Sequence, residues 1–220
     1  MAYYDRDYYR DPAEAGGRSG NPFGQRLRFA SFTTWLIIIN VAVYVLDVLL
    51  VAAGLGTETQ IGTLGPLEII GYFSAETGIH GLQVWRFITF QFLHAGIGHL
   101  FFNMLALYFF GPMVEQYLGS RRFLGYYLLC GIAGAAAYLL LWRLGIIVSA
   151  AWVPLVGASA GIFGILLAGA KIAPNTKVML LFPPIPISLK AMAWIFVGIA
   201  LLTILQQGPS PFQLSRGYSS

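Results

Sequence analysis

Long uncharged runs alternate with shorter charged segments along this chain, and the pattern predicts membrane-spanning helices. Five stretches carry almost no charge and come close to the ~20 residues that an α-helix needs to cross a bilayer. They lie at residues 32–53, 99–118, 123–142, 155–170 and 189–206. We therefore predict an all-α polytopic membrane protein, a helical bundle with five transmembrane helices.

The loop between the first two predicted helices is itself partly apolar. Pro66 and several glycines between Gly54 and Gly81 interrupt any long helix there. Apolar side chains are nevertheless frequent, at Leu64, Ile69, Ile70, Tyr72 and Phe73. We expect this first loop to lie in the membrane interface, where a segment can bury one apolar side.

Composition agrees with this class and excludes others. Hydrophobic residues make up 57% and charged residues 10% of the 220 residues, with a mean hydropathy of +0.71. That leaves too little polar surface for a soluble globule. The single cysteine, Cys130, excludes a disulfide within the chain and a thiol-based metal site, and we expect it to be a small buried hydrophobe. No nucleic-acid motif, phosphate loop or redox site is recognisable, so we expect no cofactor and no nucleic-acid partner.

The termini differ from the apolar middle. Residues 1–30 are rich in Tyr, Arg, Asp and Gly and lack the apolar core of a secretory signal. We predict a disordered cytoplasmic tail over 1–30, a membrane domain over 31–206 and a short C-terminal tail over 207–220.

Lysine and arginine orient the predicted bundle. Ten of the 13 lie in segments that share one side of the membrane when the N-terminus is cytoplasmic, as the positive-inside rule requires. The remaining three are Arg86, Arg143 and Arg216. The charge pattern therefore predicts a cytoplasmic N-terminus and a C-terminal tail on the outer side.

A few polar side chains interrupt the apolar segments. Ser159 lies in the run Gly-Ala-Ser-Ala-Gly at 157–161, while His99 and Asn103 lie in the second predicted helix and His94 near its outer end. Polar groups are costly in lipid, so such residues are functional candidates by default.

Ser159 and Asn103 are expected at the same depth. Ser159 precedes Lys171, and Asn103 precedes Glu115, by 12 residues each, which is ~18 Å at 1.5 Å per residue. His99 and Asn103 are four apart and share a helix face. A hydroxyl facing an imidazole and an amide suits acyl transfer, with the serine as nucleophile and fixed donors for the oxyanion. Pro154 and Gly157 would let the chain enter the bilayer non-helically beside a water-filled cavity.

Each feature also has a purely structural interpretation. Gly157 and Gly161 have the spacing of a small-residue helix contact, in which Ser159 would be one more small residue. His99 and Asn103 could join helices as a buried polar pair. A metal site from His94 and His99 is disfavoured, because their spacing splays the side chains and no third ligand lies at their level. The matched depth favours chemistry, and we expect no metal.

These residues together resemble the rhomboid family of intramembrane serine proteases. The resemblance covers roughly residues 30–206 and depends on Trp85-Arg86, His94, His99, Asn103, Glu115 with Leu118-Gly119-Ser120, and the run at 157–161. The serine run alone would also match soluble α/β-hydrolases, whose strand–turn–helix setting is absent from this pattern.

The resemblance implies a role for each matching residue. Ser159 matches the nucleophile, and His99 and Asn103 match the side chains of the oxyanion hole. The supporting positions are His94 near the cavity mouth, Trp85 and Arg86 steadying the first loop, Gly157 turning the backbone before the nucleophile, and Phe163 as an aromatic packed near the base. The implied activity is cleavage of transmembrane segments of membrane-protein substrates, by a multi-pass protein of a bacterial cytoplasmic membrane.

One departure concerns the general base. Rhomboids carry it as a histidine on a sixth core helix, whereas the histidines here are His80, His94 and His99, and none follows Ser159. We therefore expect the activity of this chain to be incomplete. It could be a fragment or frameshifted product of an active enzyme, or an inactive relative that binds transmembrane clients without cleavage. A small channel or transporter is a third interpretation, but it lacks an inverted repeat or charged pathway.

Overall fold

The computed structural model describes residues 31–60, 62–147, 151–179 and 185–206, with side chains as far as Gly198. Within this part of the chain the helices are α1 (Phe32–Leu50), α2 (Pro66–Gly71), α3 (Arg86–Thr89), α4 (Ile97–Leu118), α5 (Ser120–Arg143), α6 (Ser159–Ile172) and α7 (Leu189–Gln206). Single turns of π or 3₁₀ type occur at Val51–Leu55, Glu76–His80 and Phe90–Phe92. The predicted tails 1–30 and 207–220 lie outside the described residues.

Two small antiparallel hairpins accompany the helices, so the fold is mostly helical instead of all-α. Strand β1 (Thr57–Thr59) pairs with β2 (Gly62–Leu64), and β3 (Lys177–Met179) pairs with β4 (Pro186–Ser188). Each strand has three residues, which is too short to show the alternating pattern that predicts a strand.

Three of the predicted spans are long and apolar enough to cross a membrane in the described structure. They are Phe32–Leu55, which is α1 with its π turn, then α4 and α5, with 24, 22 and 24 residues. The fourth predicted helix is shorter than expected, since it begins at Ser159 instead of residue 155 and has 14 residues. Gly157 has a φ of 125°, a value outside the helical range, so the backbone before Ser159 is not helical.

The start of α1 is fixed by a carboxylate from another helix. Glu115, near the end of α4, is 5% exposed. Its Oε1 accepts from the Phe32 N–H at 2.8 Å, and its Oε2 accepts from the Thr33 N–H at 3.0 Å and the Thr33 hydroxyl at 2.7 Å. The first N–H groups of a helix have no partner within it, so Glu115 satisfies them and holds the start of α1 beside the end of α4.

Small residues let α5 and α6 cross closely and in opposite directions. A Cβ on Gly134 would meet Ala160 Cβ at 2.6 Å, and one on Gly164 would meet Cys130 Sγ at 2.3 Å. Earlier residues of α5 therefore face later residues of α6, which makes the pair antiparallel. Cys130 is a free, half-buried thiol in this contact.

The first loop is fastened to the helical domain at two points. Asp47 on α1 accepts from the Leu67 N–H at 2.8 Å and so caps the N-terminus of α2. Further along, Phe73 and Leu155 exchange backbone hydrogen bonds of 3.1 and 2.6 Å. Phe73 is fully buried against Phe90 and Ala135. These contacts attach the loop both to α1 and to the segment that leads into α6.

Candidate active site

Ser159 is the first residue of α6 and follows a sharply turned segment. Gly157 adopts a left-handed φ of 125° and donates its N–H to the Phe90 carbonyl at 2.9 Å. A non-glycine residue would be strained there. The Ser159 side chain is exposed, and its backbone N–H is among those that a helix leaves unpaired at its N-terminus. The geometry presents a hydroxyl beside a polar backbone group.

The imidazole of His99 and the amide of Asn103 lie against this segment. A Cβ built on Gly157 would be 2.7 Å from His99 Cε1, 2.8 Å from His99 Nε2 and 3.7 Å from Asn103 Nδ2. Both side chains come from α4, one helical turn apart. The structure therefore brings His99 and Asn103 together at the backbone that leads into Ser159, which agrees with the predicted shared face.

Asn103 is buried with an unused donor. Its side chain is 9% exposed, and its Nδ2 has no hydrogen-bond partner among the described residues. A buried donor without a partner lowers the stability of the fold by about 1–3 kcal/mol. The position of Asn103 is therefore better explained by a functional role than by a contribution to stability. An amide held in this way is suited to receive a negatively charged oxygen.

His94 packs beside His99 instead of pointing at the serine segment. The two rings are 5.1 Å apart between centroids and meet edge to face at 66°. His94 is 6% exposed, and neither ring nitrogen has a partner in the described part of the chain. Burial, with a further contribution from His99, lowers the pKa of His94 to about 4, so its ring is neutral at pH 7. It also lines a cavity of about 200 Å³ together with Asp47 and Glu68.

Comparison with known proteins decides the family. A family model described as Rhomboid domain matches residues 81–213, which is more than half of the chain. The chain belongs to the rhomboid family. It is therefore related to intramembrane proteases, and its apolar helices belong to a membrane-integral fold.

Three relatives that are named as rhomboids share part of the sequence. RHOMBOID-like protein 1 of Arabidopsis thaliana is 37% identical over 107 residues, covering 47% of this chain and 25% of the relative. Rhomboid protease GluP of Bacillus subtilis is 41% identical over 97 residues, covering 44% and 17%. Inactive RHOMBOID-like protein 8 of Arabidopsis thaliana is 32% identical over 118 residues, covering 52% and 31%. The matched part spans about a sixth to a third of these relatives' lengths, and the relatives come from a plant as well as a bacterium.

The rhomboid pair Trp85 and Arg86 contacts the first loop in different ways. Arg86 is 7% exposed, and its guanidinium donates to the carbonyls of Ile69 at 2.9 Å and Tyr72 at 2.5 Å while stacking 4.8 Å from the Tyr72 ring. Trp85 is half exposed and donates only a long bond of 3.4 Å to the Ile70 carbonyl. Arg86 therefore holds the end of α2, and Trp85 adds little to that hold.

Two other residues were considered from the sequence, Phe163, which matches a rhomboid aromatic position, and His80, which matches none. Phe163 is half-buried on α6, one helical turn after Ser159. His80 is exposed and ends the π turn Glu76–His80. Among the described residues no group of three or more His, Cys, Asp or Glu is placed to hold a metal ion.

Sequence reasoning missed a buried amide that supports the site. Gln91, in the turn Phe90–Phe92 that receives the Gly157 N–H, is fully buried. It donates to the carbonyls of Phe87 at 3.0 Å and Leu128 at 3.4 Å, and it fills the space beside Gly131. A glutamine between two phenylalanines was a visible signal, since a polar residue in an apolar run needs a partner.

Proposed function

We propose that this chain is an intramembrane serine endopeptidase that cleaves transmembrane segments of membrane proteins. The observation that carries the proposal is the packing of His99 and Asn103 against Gly157, two residues before Ser159. Family membership supports it, since the relatives include one named a rhomboid protease.

In the proposed reaction, Ser159 Oγ attacks the scissile carbonyl and forms a tetrahedral oxyanion. Asn103 Nδ2, His99 and the Ser159 N–H at the start of α6 donate to that oxygen. The positive end of the α6 dipole adds to the same stabilisation. Donors that are fixed before the reaction need no reorganisation when the charge develops, and the orphaned amide of Asn103 fits that requirement.

The proton of Ser159 needs an acceptor in this scheme. No histidine follows Ser159 within the 220 residues, and His99 is committed to the oxyanion. His94 is neutral, but its ring lies beside His99, where it positions the neighbouring imidazole. We therefore propose that water, or a histidine on an added helix, takes this proton. Collapse of the oxyanion then breaks the scissile C–N bond, the amine half of the substrate leaves with a proton, and water hydrolyses the acyl-serine.

The proposed membrane arrangement has five spans and a cytoplasmic N-terminus. Three helices are long enough to cross, α6 and α7 are apolar, and α5 runs antiparallel to α6. In this arrangement Lys171, Lys177 and Lys190 share the side of the α1 N-terminus, as positive-inside charge favours. Substrates or clients would approach through the bilayer.

The test compares the chain alone with the chain fused to a further apolar helix that carries a histidine. Each purified protein is incubated in liposomes with a single-span reporter. We expect the fusion to cleave and Ser159→Ala to abolish cleavage, because the nucleophile is lost. Ser188→Ala is the matched control, since it removes another helix-terminal serine, and it should leave the rate within about twofold. Cleavage that survives Ser159→Ala would overturn the proposal.

A second candidate function is binding of transmembrane clients without cleavage. It is favoured by the similarity to a relative named inactive and by the absence of a histidine after Ser159 in these residues. A photo-crosslinking reporter distinguishes the two functions. Crosslinking that is unchanged by Ser159→Ala, together with a fusion that never cleaves, would establish the binding function and reject the enzymatic one.

A further inference from the structure

The β3–β4 hairpin has two different faces. Lys177 pairs with Ser188, Val178 with Ile187, and Met179 with Pro186. Val178 and Ile187 are half-buried against the main hydrophobic core. Side chains alternate along a strand, so Lys177 and Met179 lie on the opposite face, and both are exposed. The hairpin is thus held by one face and presents the other outward.

Two further lysines lie where the hairpin joins its flanking helices. Lys171 is in the last turn of α6, and Lys190 is the second residue of α7; both are exposed. The joint is closed by backbone bonds from the Leu189 N–H to the Thr176 carbonyl at 2.9 Å and from the Lys190 N–H to the Pro174 carbonyl at 3.2 Å. Three cations therefore converge at one end of α6 and α7.

No acidic residue occurs in the sequence after Glu115. Glu115 itself is buried, and both of its oxygens accept hydrogen bonds from the start of α1. The other described acidic residues are Asp47 in the later half of α1 and Glu58, Glu68 and Glu76 in the first loop. Residues 116–220 therefore supply no acidic side chain to neutralise the three lysines.

Exposed apolar side chains lie next to these cations. Met179 is 64% exposed and Ile185 is 50% exposed. Both are near the ends of apolar helices in a membrane-integral family, so the adjacent medium is the lipid interface. A nucleic acid or an acidic peptide would match the charge but not the apolar side chains.

We propose that the basic hairpin surface, made of Lys171, Lys177, Lys190, Met179 and Ile185, binds anionic phospholipid headgroups of the adjacent leaflet. The lysines contact the phosphates, and the two apolar side chains enter the boundary below them. Each lysine near an anionic surface raises affinity roughly fivefold. The inference does not depend on the chemistry of Ser159.

The experiment measures which lipid surrounds Met179. The full chain with Met179→Cys is labelled with an environment-sensitive dye and placed in bilayers of phosphatidylcholine and phosphatidylglycerol. A trace of spin-labelled lipid with either headgroup then quenches the dye. We expect the anionic lipid to quench at least about twofold more strongly at equal mole fraction, and 0.5 M salt to reduce the difference, because surface charge is screened. The same chain without the new cysteine corrects for labelling of Cys130.

Charge variants decide the outcome. Replacing the three lysines by Gln should equalise quenching by the two lipids, whereas replacing them by Arg should retain the preference. Arg143→Gln is the control. Arg143 is the last residue of α5, at the end of that helix away from the hairpin, so this change should leave the lipid preference intact. Equal quenching in the parent chain, or a preference that persists in the triple Gln variant, would overturn the proposal; the Arg variant shows whether changes at these positions alone disturb the fold.

Discussion

At the scale of single residues, the site depends on one backbone conformation. Gly157 has a positive φ and no room for a side chain, since the His99 ring occupies the space that a Cβ would take. The i,i+4 spacing of His99 and Asn103 was enough to predict that they share one face of α4. That they contact residue 157 could not be predicted, because helix periodicity does not say which backbone a face meets.

Gly157→Ala should destabilise the fold and displace His99. The strain of a positive φ is about 1–2 kcal/mol for a non-glycine residue, and the added methyl would overlap the imidazole. Chemical denaturation in detergent measures the loss. Gly98→Ala is the matched control, because nothing lies within 4 Å of its Cβ and alanine favours a helix. Equal stability of the two variants would contradict this account.

Asn103→Ala should slow turnover by about 10²-fold in a chain that cleaves, if its amide donates to the oxyanion. The loss should fall on kcat, with little change in KM, because the donor acts when the charge forms. Asn175→Ala changes an exposed asparagine and should have no effect. An unchanged kcat in Asn103→Ala would remove it from the site.

At the scale of elements, the helices were predicted better than their ends. The apolar runs located five helices, but α6 begins at Ser159, four residues after the predicted start. An apolar run does not reveal that Gly157 has a positive φ, which keeps the backbone before Ser159 out of the helix. The three-residue strands fell below the length of any periodic signal. Glu115 caps α1 by accepting from Phe32 and Thr33, which precede it in the sequence by 83 and 82 positions. Local sequence patterns contain no information on such a distant contact.

Glu115→Ala should destabilise the chain by about 3 kcal/mol, since it leaves buried N–H groups at the start of α1 without an acceptor. Glu115→Gln should cost less, because its amide oxygen still accepts one bond. Thermal unfolding of the parent chain and the two variants in one detergent gives their order of stability. Equal loss in both variants would show that charge, and not acceptor geometry, matters.

The short helix α2 should make stability depend on pH. Burial, and then the charge of Asp47, raises the pKa of Glu68 above its ordinary 4.5. The folded chain thus holds this proton more tightly than the unfolded chain, so the contribution is full below pH 4.5 and is lost as pH rises through the folded-state pKa. Glu68 also accepts from the Gly65 backbone N–H; Glu68→Gln keeps an oxygen for that bond and should remove this decline. The test measures the free energy of unfolding from pH 4 to 8, with Glu76→Gln, a change at an exposed residue, as control. If Glu68→Gln leaves the slope of stability against pH unaltered, Glu68 is not the source of the decline.

At the scale of the whole molecule, the proposed membrane arrangement rests on charge and helix direction. Residues at the start of α1 and after α6 should face one side, and residues after α5 the other. Impermeant thiol reagents should therefore label Ser31→Cys and Asn175→Cys from the same side of sealed vesicles and Leu144→Cys from the opposite side. The parent chain reports on Cys130 alone. Labelling of Asn175→Cys and Leu144→Cys from one side would contradict the proposed five spans.

Because Phe73 and Leu155 exchange two backbone hydrogen bonds, the first loop and the segment that leads into Ser159 cannot move independently. A displacement of the loop would therefore displace Leu155, which lies four residues before Ser159. Substitutions in the first loop should then misplace the Ser159 hydroxyl. A screen for variants with reduced cleavage rates should therefore recover changes in that loop as well as changes at the site.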